Sequence, residues 1–387
     1  MAADRESEPL PAVPLVDLNR QMAALGSRID ARIGAVLSGG DFILGGAVRE
    51  LEARLADYAG AAEAITVANG TEALMIPLMA QGIGRGDAVF IPAFTFAATA
   101  GAVALCGATP VFVDVDEATL TMDPQQLDAR IEATRRAGDL RPRAVIPVDL
   151  FGRPADYPAI LAIARKAELL VLADAAQSFG AEQGNRRVGV LAPATAISFY
   201  PSKPLGCFGD GGAILTDDPA LAETCRRLRG HGFDDSGEAR QVGLNSRLDS
   251  LQAAILLAKL ETFEAELAAR DRAARRYGER LAGRLRTPAG LGDGRSAWAV
   301  YAVRSPRRDA LREALSAAGI ASAVYYRKPL HLHPAYAAYG EGRGSLPISE
   351  GVSEEILALP MHGYLDEATV ERVCATLLAA LDQTAST

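Results

Sequence analysis

No Cys-x-x-Cys pair occurs in this chain, and its four cysteines, Cys106, Cys207, Cys225 and Cys374, lie far apart. That spacing excludes a zinc ribbon or finger, and no metal site is expected. So few scattered thiols in 387 residues read as a reduced protein, not a disulfide scaffold. Long hydrophobic runs are also missing. The most apolar stretch, around 97–108, is short and broken by glycine, so no membrane partner is expected. The first ten residues are charged and have no apolar leader core, which makes the cytoplasm the expected compartment. Positive charge is in deficit: 40 Lys and Arg against 48 Asp and Glu leave −8. Such a balance cannot neutralise a phosphate backbone, so no nucleic acid partner is expected.

What is present is globular. Hydrophobic residues make up 49% and charged residues 23%, which rules out a disordered chain. Glycine, at 37 residues, is in excess and points to tight turns or backbone-lined sites. The length suggests two domains. Residues 1–13 have little to bury and are expected to form a loose tail. Leu18, Met22, Leu25, Ile29, Ile33 and Val36 then recur at helical spacing, up to Gly39-Gly40. Val48, Leu51, Leu55 and Tyr58 mark a second helix.

From residue 63 short apolar runs alternate with helical patterns. The runs are Ala64–Ala68, Ala88–Ile91, Pro110–Val115, Ala144–Val148, Leu169–Ala173, Ala194–Phe199 and Gly212–Thr216. The helical patterns include Thr95–Leu105, Tyr157–Ala167 and Pro219–Arg229. This alternation predicts an α/β layer with a mostly parallel sheet covered on both faces. A long helical stretch is expected over 246–285. A strand Ala297–Val303, a helix Pro306–Ala318, a strand Ser322–Tyr326 and a helix Asp366–Leu381 predict a smaller C-terminal α+β domain. The expected division is 14–260 for the large domain and 261–387 for the small one.

Lys203 stands out among the chemical groups. It follows an apolar run in Ser198-Phe-Tyr-Pro-Ser-Lys203 and precedes a glycine-dense turn. A lysine in an apolar pocket loses proton affinity and becomes a usable amine nucleophile; otherwise it is a solvated loop residue. Asp174 ends a predicted strand in Asp174-Ala-Ala-Gln177, where open α/β sheets bind ligands. It can cap the next helix or hold a pyridinium nitrogen, and lysine with such an aspartate is the pair that pyridoxal phosphate requires. Asn69-Gly-Thr-Glu-Ala-Leu74 leads into a helix whose free N–H groups suit a phosphate, or it is ordinary capping. Phe96, in Pro92-Ala-Phe-Thr-Phe96, can stack on a ring or fill the core. His331 and His333 alternate without nearby carboxylates and are not read as metal ligands. Gly82-Ile-Gly-Arg-Gly86 precedes a strand, so it is not a dinucleotide loop.

Together these segments, with Gly209-Asp-Gly-Gly-Ala-Ile, Gly243-Leu-Asn-Ser-Arg-Leu and Pro329-Leu-His, resemble the DegT-type aminotransferases among the fold-type I pyridoxal phosphate enzymes. The likeness runs from about Leu15 to Leu381. It implies that Lys203 is the Schiff-base lysine and the proton shuttle. It implies that Asp174 partners the pyridinium, that Gln177 lies near the ring hydroxyl and that Phe96 stacks on the ring. Gly70, Thr71 and Ser198 would form the phosphate cradle. Asn245 would reach the phosphate of a neighbouring subunit, making a homodimer. Relatives that dehydrate sugars carry histidine in place of this lysine, so Lys203 implies transamination. The resemblance also implies a keto-sugar nucleotide as acceptor and L-glutamate as donor. The stretches around Lys203 and Asn245 are closest to a branch that aminates C3 of UDP-2-acetamido-2-deoxy-3-oxo-glucuronate. The alternatives are amination at C4 of a keto-deoxy sugar, or a regulatory or scaffold role without turnover. Arg247 would bind substrate carboxylate, and Tyr325, Tyr326 and His331 would line the sugar side.

Overall fold

The structure, a computed structural model, describes residues 11–383. Two helices, α1 (Leu18–Gly39) and α2 (Gly46–Ala59), lead into the α/β body. That body runs β1 (Glu63–Val67), α3 (Gly70–Ala80), β2 (Asp87–Pro92), α4 (Ala97–Leu105), β3 (Thr109–Val113), α5 (Pro124–Ala137), β4 (Arg141–Val145), α6 (Tyr157–Ala167) and β5 (Leu170–Asp174). A hairpin, β6 (Glu182–Gln183) and β7 (Arg186–Arg187), precedes β8 (Ala194–Ser198), β9 (Gly212–Thr216) and α7 (Pro219–Arg229). Several helices start on one device. In Asp218-Pro219 the carboxylate accepts from the Ala220 N–H at 2.9 Å, and proline occupies a position whose N–H would have no partner.

The strands form a seven-stranded sheet in the order β1-β9-β8-β5-β4-β2-β3. All pairs are parallel except those of β9, which runs antiparallel to β1 and β8. Apolar side chains cover both faces, as the unbroken apolar runs predict. Phe90 points into a core with α2, α6 and the helix Ser250–Leu260, and its neighbours Val89 and Ile91 enter a second core with α3, α4 and α7. The parallel strands bring the ends of β2, β5 and β8 to one edge.

The expected helix over 246–285 is two helices, α8 (Ser250–Leu260) and α9 (Phe263–Leu281). Glu261 and Thr262 interrupt it, and 246–249 and 282–285 lie outside both helices. Beyond α9 lie β10 (Tyr301–Arg304), α10 (Arg308–Ala317), α11 (Pro347–Glu355), β11 (Ile356–Leu359) and α12 (Glu367–Gln383). The expected strand Ser322–Tyr326 reduces to one bridge, Ala323 to Ala358. The core of this unit gathers Tyr277 and Leu281 of α9, Leu315 of α10 and Leu377 of α12. Phe263 and Leu267, at the other end of α9, belong to the large core. We propose the division near residue 260, with α9 as the strut that both units share. Residues 1–10 of the expected loose tail lie outside the described residues. Val13 is tied in, donating to Gly319 O at 2.9 Å and accepting from Ala321 N at 2.8 Å. Among the described residues no helix is long and apolar enough to cross a membrane, and no cluster could hold a metal ion.

Candidate active site

Asp174, the last residue of β5, is buried at the carboxyl edge of the sheet. Its Oδ2 accepts a 2.8 Å hydrogen bond from the Thr99 hydroxyl, and its Oδ1 accepts from the Ala176 N–H at 3.3 Å. Asp174 has no ion-pair partner among the described residues. Burial raises its pKa, and the Thr99 bond, the Ala176 N–H and the charge of Lys203 oppose that rise. Thr99 was not singled out in the sequence. The signal was present: Thr95 and Thr99 are four residues apart where a strand end leads into a helix, and their hydroxyls are 3.3 Å apart.

Lys203 sits on the turn after β8, half-buried. Its N–H closes that turn onto Tyr200 O at 2.8 Å. Desolvation lowers its pKa and Asp174 partly restores it. The turn is held from below, where Lys259 Nζ donates to Gly206 O at 2.6 Å and lies 4.3 Å from the centre of the Phe208 ring. Burial brings the Lys259 pKa down to about 8. Gly206 is required here, because a Cβ would come within 2.6 Å of Pro201 O.

The other segments converge beside this pair. Asn69 caps α3, accepting from Glu72 N at 2.9 Å, and half-buried Thr71 lies in its first turn. A Cβ on Gly70 would stand 2.7 Å from Ser198 Cβ, so only glycine lets this helix N-terminus close on the end of β8. Ser246 ties the segment carrying Asn245 to the same loop, its Oγ accepting from Ala68 N at 3.3 Å. Asn245 is exposed, and Arg247 is half-buried with no hydrogen bond or ion pair among the described residues.

Gln177 accepts from the Phe151 N–H at 2.9 Å and donates to the Tyr326 hydroxyl at 3.2 Å. The Tyr326 ring lies 6.3 Å from Phe96, which is 58% exposed and therefore not a core residue. Half-buried Tyr325 is adjacent. His331 is not part of this group. It is 1% exposed, lies against Phe112, and its Nε2 is 3.2 Å from Glu350 Oε1. It braces the segment from within the protein, through Phe112 and Glu350. A second buried carboxylate, Asp149, went unnoticed in the sequence. It accepts from Ser178 Oγ at 2.7 Å, Tyr157 OH at 2.8 Å and Ala155 N at 2.9 Å. Desolvation still raises its pKa to about 7.

These residues fit pyridoxal phosphate. A buried carboxylate without a cationic partner suits a protonated ring nitrogen. A desolvated lysine lies within its electrostatic reach, and the glycine-lined start of α3 suits the phosphate. Fold and site together define a pyridoxal phosphate-dependent aminotransferase of fold type I. The DegT/DnrJ/EryC1/StrS aminotransferase family model matches residues 24–378, and the chain belongs to that family. The chain is 46% identical to the UDP-2-acetamido-2-deoxy-3-oxo-D-glucuronate aminotransferase of Pseudomonas aeruginosa, over 94% of this chain and 99% of that protein. It is 42% identical to a pleiotropic regulatory protein of Geobacillus stearothermophilus, over 92% and 95%. The crystal structure of a DegT DnrJ EryC1 StrS aminotransferase from Brucella abortus superposes with a TM-score of 0.93. Its identity is 48%, and the match covers 95% of this chain and 99% of that one.

Proposed function

We propose that this protein moves the amino group of L-glutamate to C3 of UDP-2-acetamido-2-deoxy-3-oxo-glucuronate, acting as a cytoplasmic homodimer. The observation that carries this reading is the 46% identity to the Pseudomonas enzyme over nearly the full length of both chains. Arg247 supports it, because a half-buried guanidinium without a partner among the described residues suits the carboxylate that donor and acceptor have in common.

Bound pyridoxal phosphate supplies the electron sink that holds the amino group between donor and acceptor. Asp174, fixed by Thr99, holds the proton on the ring nitrogen. Lys203 gives up and takes back a proton at the reacting carbon, a task its lowered proton affinity suits. Gly70, Thr71, Ser198 and the first turn of α3 bind the phosphate, and Gln177, positioned by Phe151 and Tyr326, orients the ring hydroxyl. Phe96 covers the ring, and Tyr325 and Tyr326 line the sugar side. Asn245 serves the phosphate of a second subunit. Mixing Lys203→Ala with Asn245→Ala protomers should therefore restore part of the activity, and verified mixed dimers without recovery would refute the shared site.

A regulatory role is favoured by the name of the Geobacillus relative. The complete Lys203, Asp174 and Ser198 set favours turnover. Purified enzyme given glutamate and a panel of keto-sugar nucleotides distinguishes the readings. The 3-oxo-uronate should be aminated with the highest kcat/KM. A preference for 4-keto-6-deoxy sugars would move the assignment to C4, and no amination of any member would favour regulation.

A further inference from the structure

A cavity of about 460 Å³ lies between the β3–α5 and β4–α6 loops and the segment 286–304. That volume is in the range of small-molecule sites. It shares no residue with the group around Lys203. Phe151 is the wall nearest the cleft, since its N–H holds Gln177. The lining is strained in three places. Leu120, Phe151 and Trp298 all carry positive φ, at 61°, 61° and 46°. Non-glycine residues rarely adopt such angles, which concentrate at functional sites.

The charges in this cavity do not balance. Arg286 and Arg304 both pair with Glu117, at 2.9 Å and 3.2 Å, and Arg304 also meets Glu355 at 3.2 Å. Arg153 has no carboxylate partner among the described residues. Its guanidinium donates only to the carbonyls of Ala289 and Gly290, at 2.8 Å and 3.1 Å. Burial lowers its proton affinity, with only the more distant Asp116 opposing. A desolvated cation held by neutral carbonyls favours an anion. Leu150, Phe151, Trp298 and Val300 supply apolar and aromatic surface around it.

We propose that this cavity is a second binding site, distinct from the catalytic cleft, for a small organic anion with a flat apolar body, its charge on Arg153 and its body against Trp298. Trp298 is the single tryptophan of the chain, so its emission reports the site. The test titrates the holoenzyme with 8-anilinonaphthalene-1-sulfonate. Quenching of Trp298 should saturate at one equivalent. Arg153→Gln should weaken binding roughly tenfold or more, whereas Arg153→Lys, folded equally well by circular dichroism, should retain most of it. The neutral probe 1-anilinonaphthalene should not distinguish wild type from Arg153→Gln. Glutamate and UDP should leave the bound probe in place. Absence of saturable quenching, equal affinity in Arg153→Gln, or displacement by glutamate or UDP would overturn the proposal.

Discussion

Thr99 donates a 2.8 Å hydrogen bond to Oδ2 of Asp174, joining the first turn of α4 to the end of β5 inside the protein. Buried carboxylates depend on such donors, because each one offsets desolvation of the charged form. Thr99→Val keeps the shape and removes the donor. A hydrogen bond to a charged group contributes roughly 1.5–3 kcal/mol, so kcat/KM should fall about tenfold or more, and Thr99→Ser should recover most of it. Steady-state kinetics of the three proteins check this. An unchanged Thr99→Val enzyme would mean that Asp174 needs no such support.

Gly70 faces Ser198 with no room for a side chain. The 2.7 Å separation that a Cβ would have from Ser198 Cβ forces the start of α3 away from β8. Overpacking of this kind costs about 1–3 kcal/mol. Gly70→Ala should therefore raise the dissociation constant for pyridoxal phosphate by roughly tenfold or more. Equilibrium dialysis of the apoenzyme measures it, and unchanged affinity would remove Gly70 from the cradle.

Asp149 makes stability depend on pH in a stated direction. Its pKa rises from 3.8 to about 7 on folding, chiefly through desolvation. Between about pH 4 and pH 7 the unfolded chain releases this proton while the folded chain keeps it. Stability is thus highest below that window and falls across it, by at most about 4 kcal/mol from this group alone. Thermal melts over this range should show a steeper decline for the wild type than for Asp149→Asn. Parallel curves would show that Asp149 is already ionised in the folded protein.

Arg247 offers a differential test of acceptor chemistry. Arg247→Lys keeps the charge but loses the paired donors of a guanidinium. Amination of a 3-oxo-uronate sugar should slow much more than amination of its C6-hydroxyl analogue in single-turnover measurements. Equal slowing would leave Arg247 to glutamate or to the loop, and would strengthen the C4 reading.

The sheet and the Lys203–Asp174 pair were legible because apolar runs mark strands buried on both faces, and chemistry in such sheets collects at the carboxyl ends. What stayed hidden depends on contacts distant in sequence. The break at Glu261-Thr262 has no glycine or proline to announce it, and it follows from α8 and α9 packing against different partners. The helical pattern of Leu, Ala, Glu and Arg continues across it. The segment 322–326 looks like a strand by composition, but only Ala323 meets a partner. The contact between His331 and Glu350 joins residues 19 positions apart. Thr99 and Asp149 owe their roles to neighbours 75 and 29 residues away, a relation that local spacing does not carry.

The most direct measurement follows nitrogen from donor to acceptor. Purified enzyme loaded with pyridoxal phosphate is given 15N-labelled glutamate and UDP-2-acetamido-2-deoxy-3-oxo-glucuronate, and the product is read by NMR. The wild type should form product with 15N bonded to C3 of the sugar, and Lys203→Ala should not. No label at C3 of this sugar, or an equal yield from Lys203→Ala, would rule the assignment out.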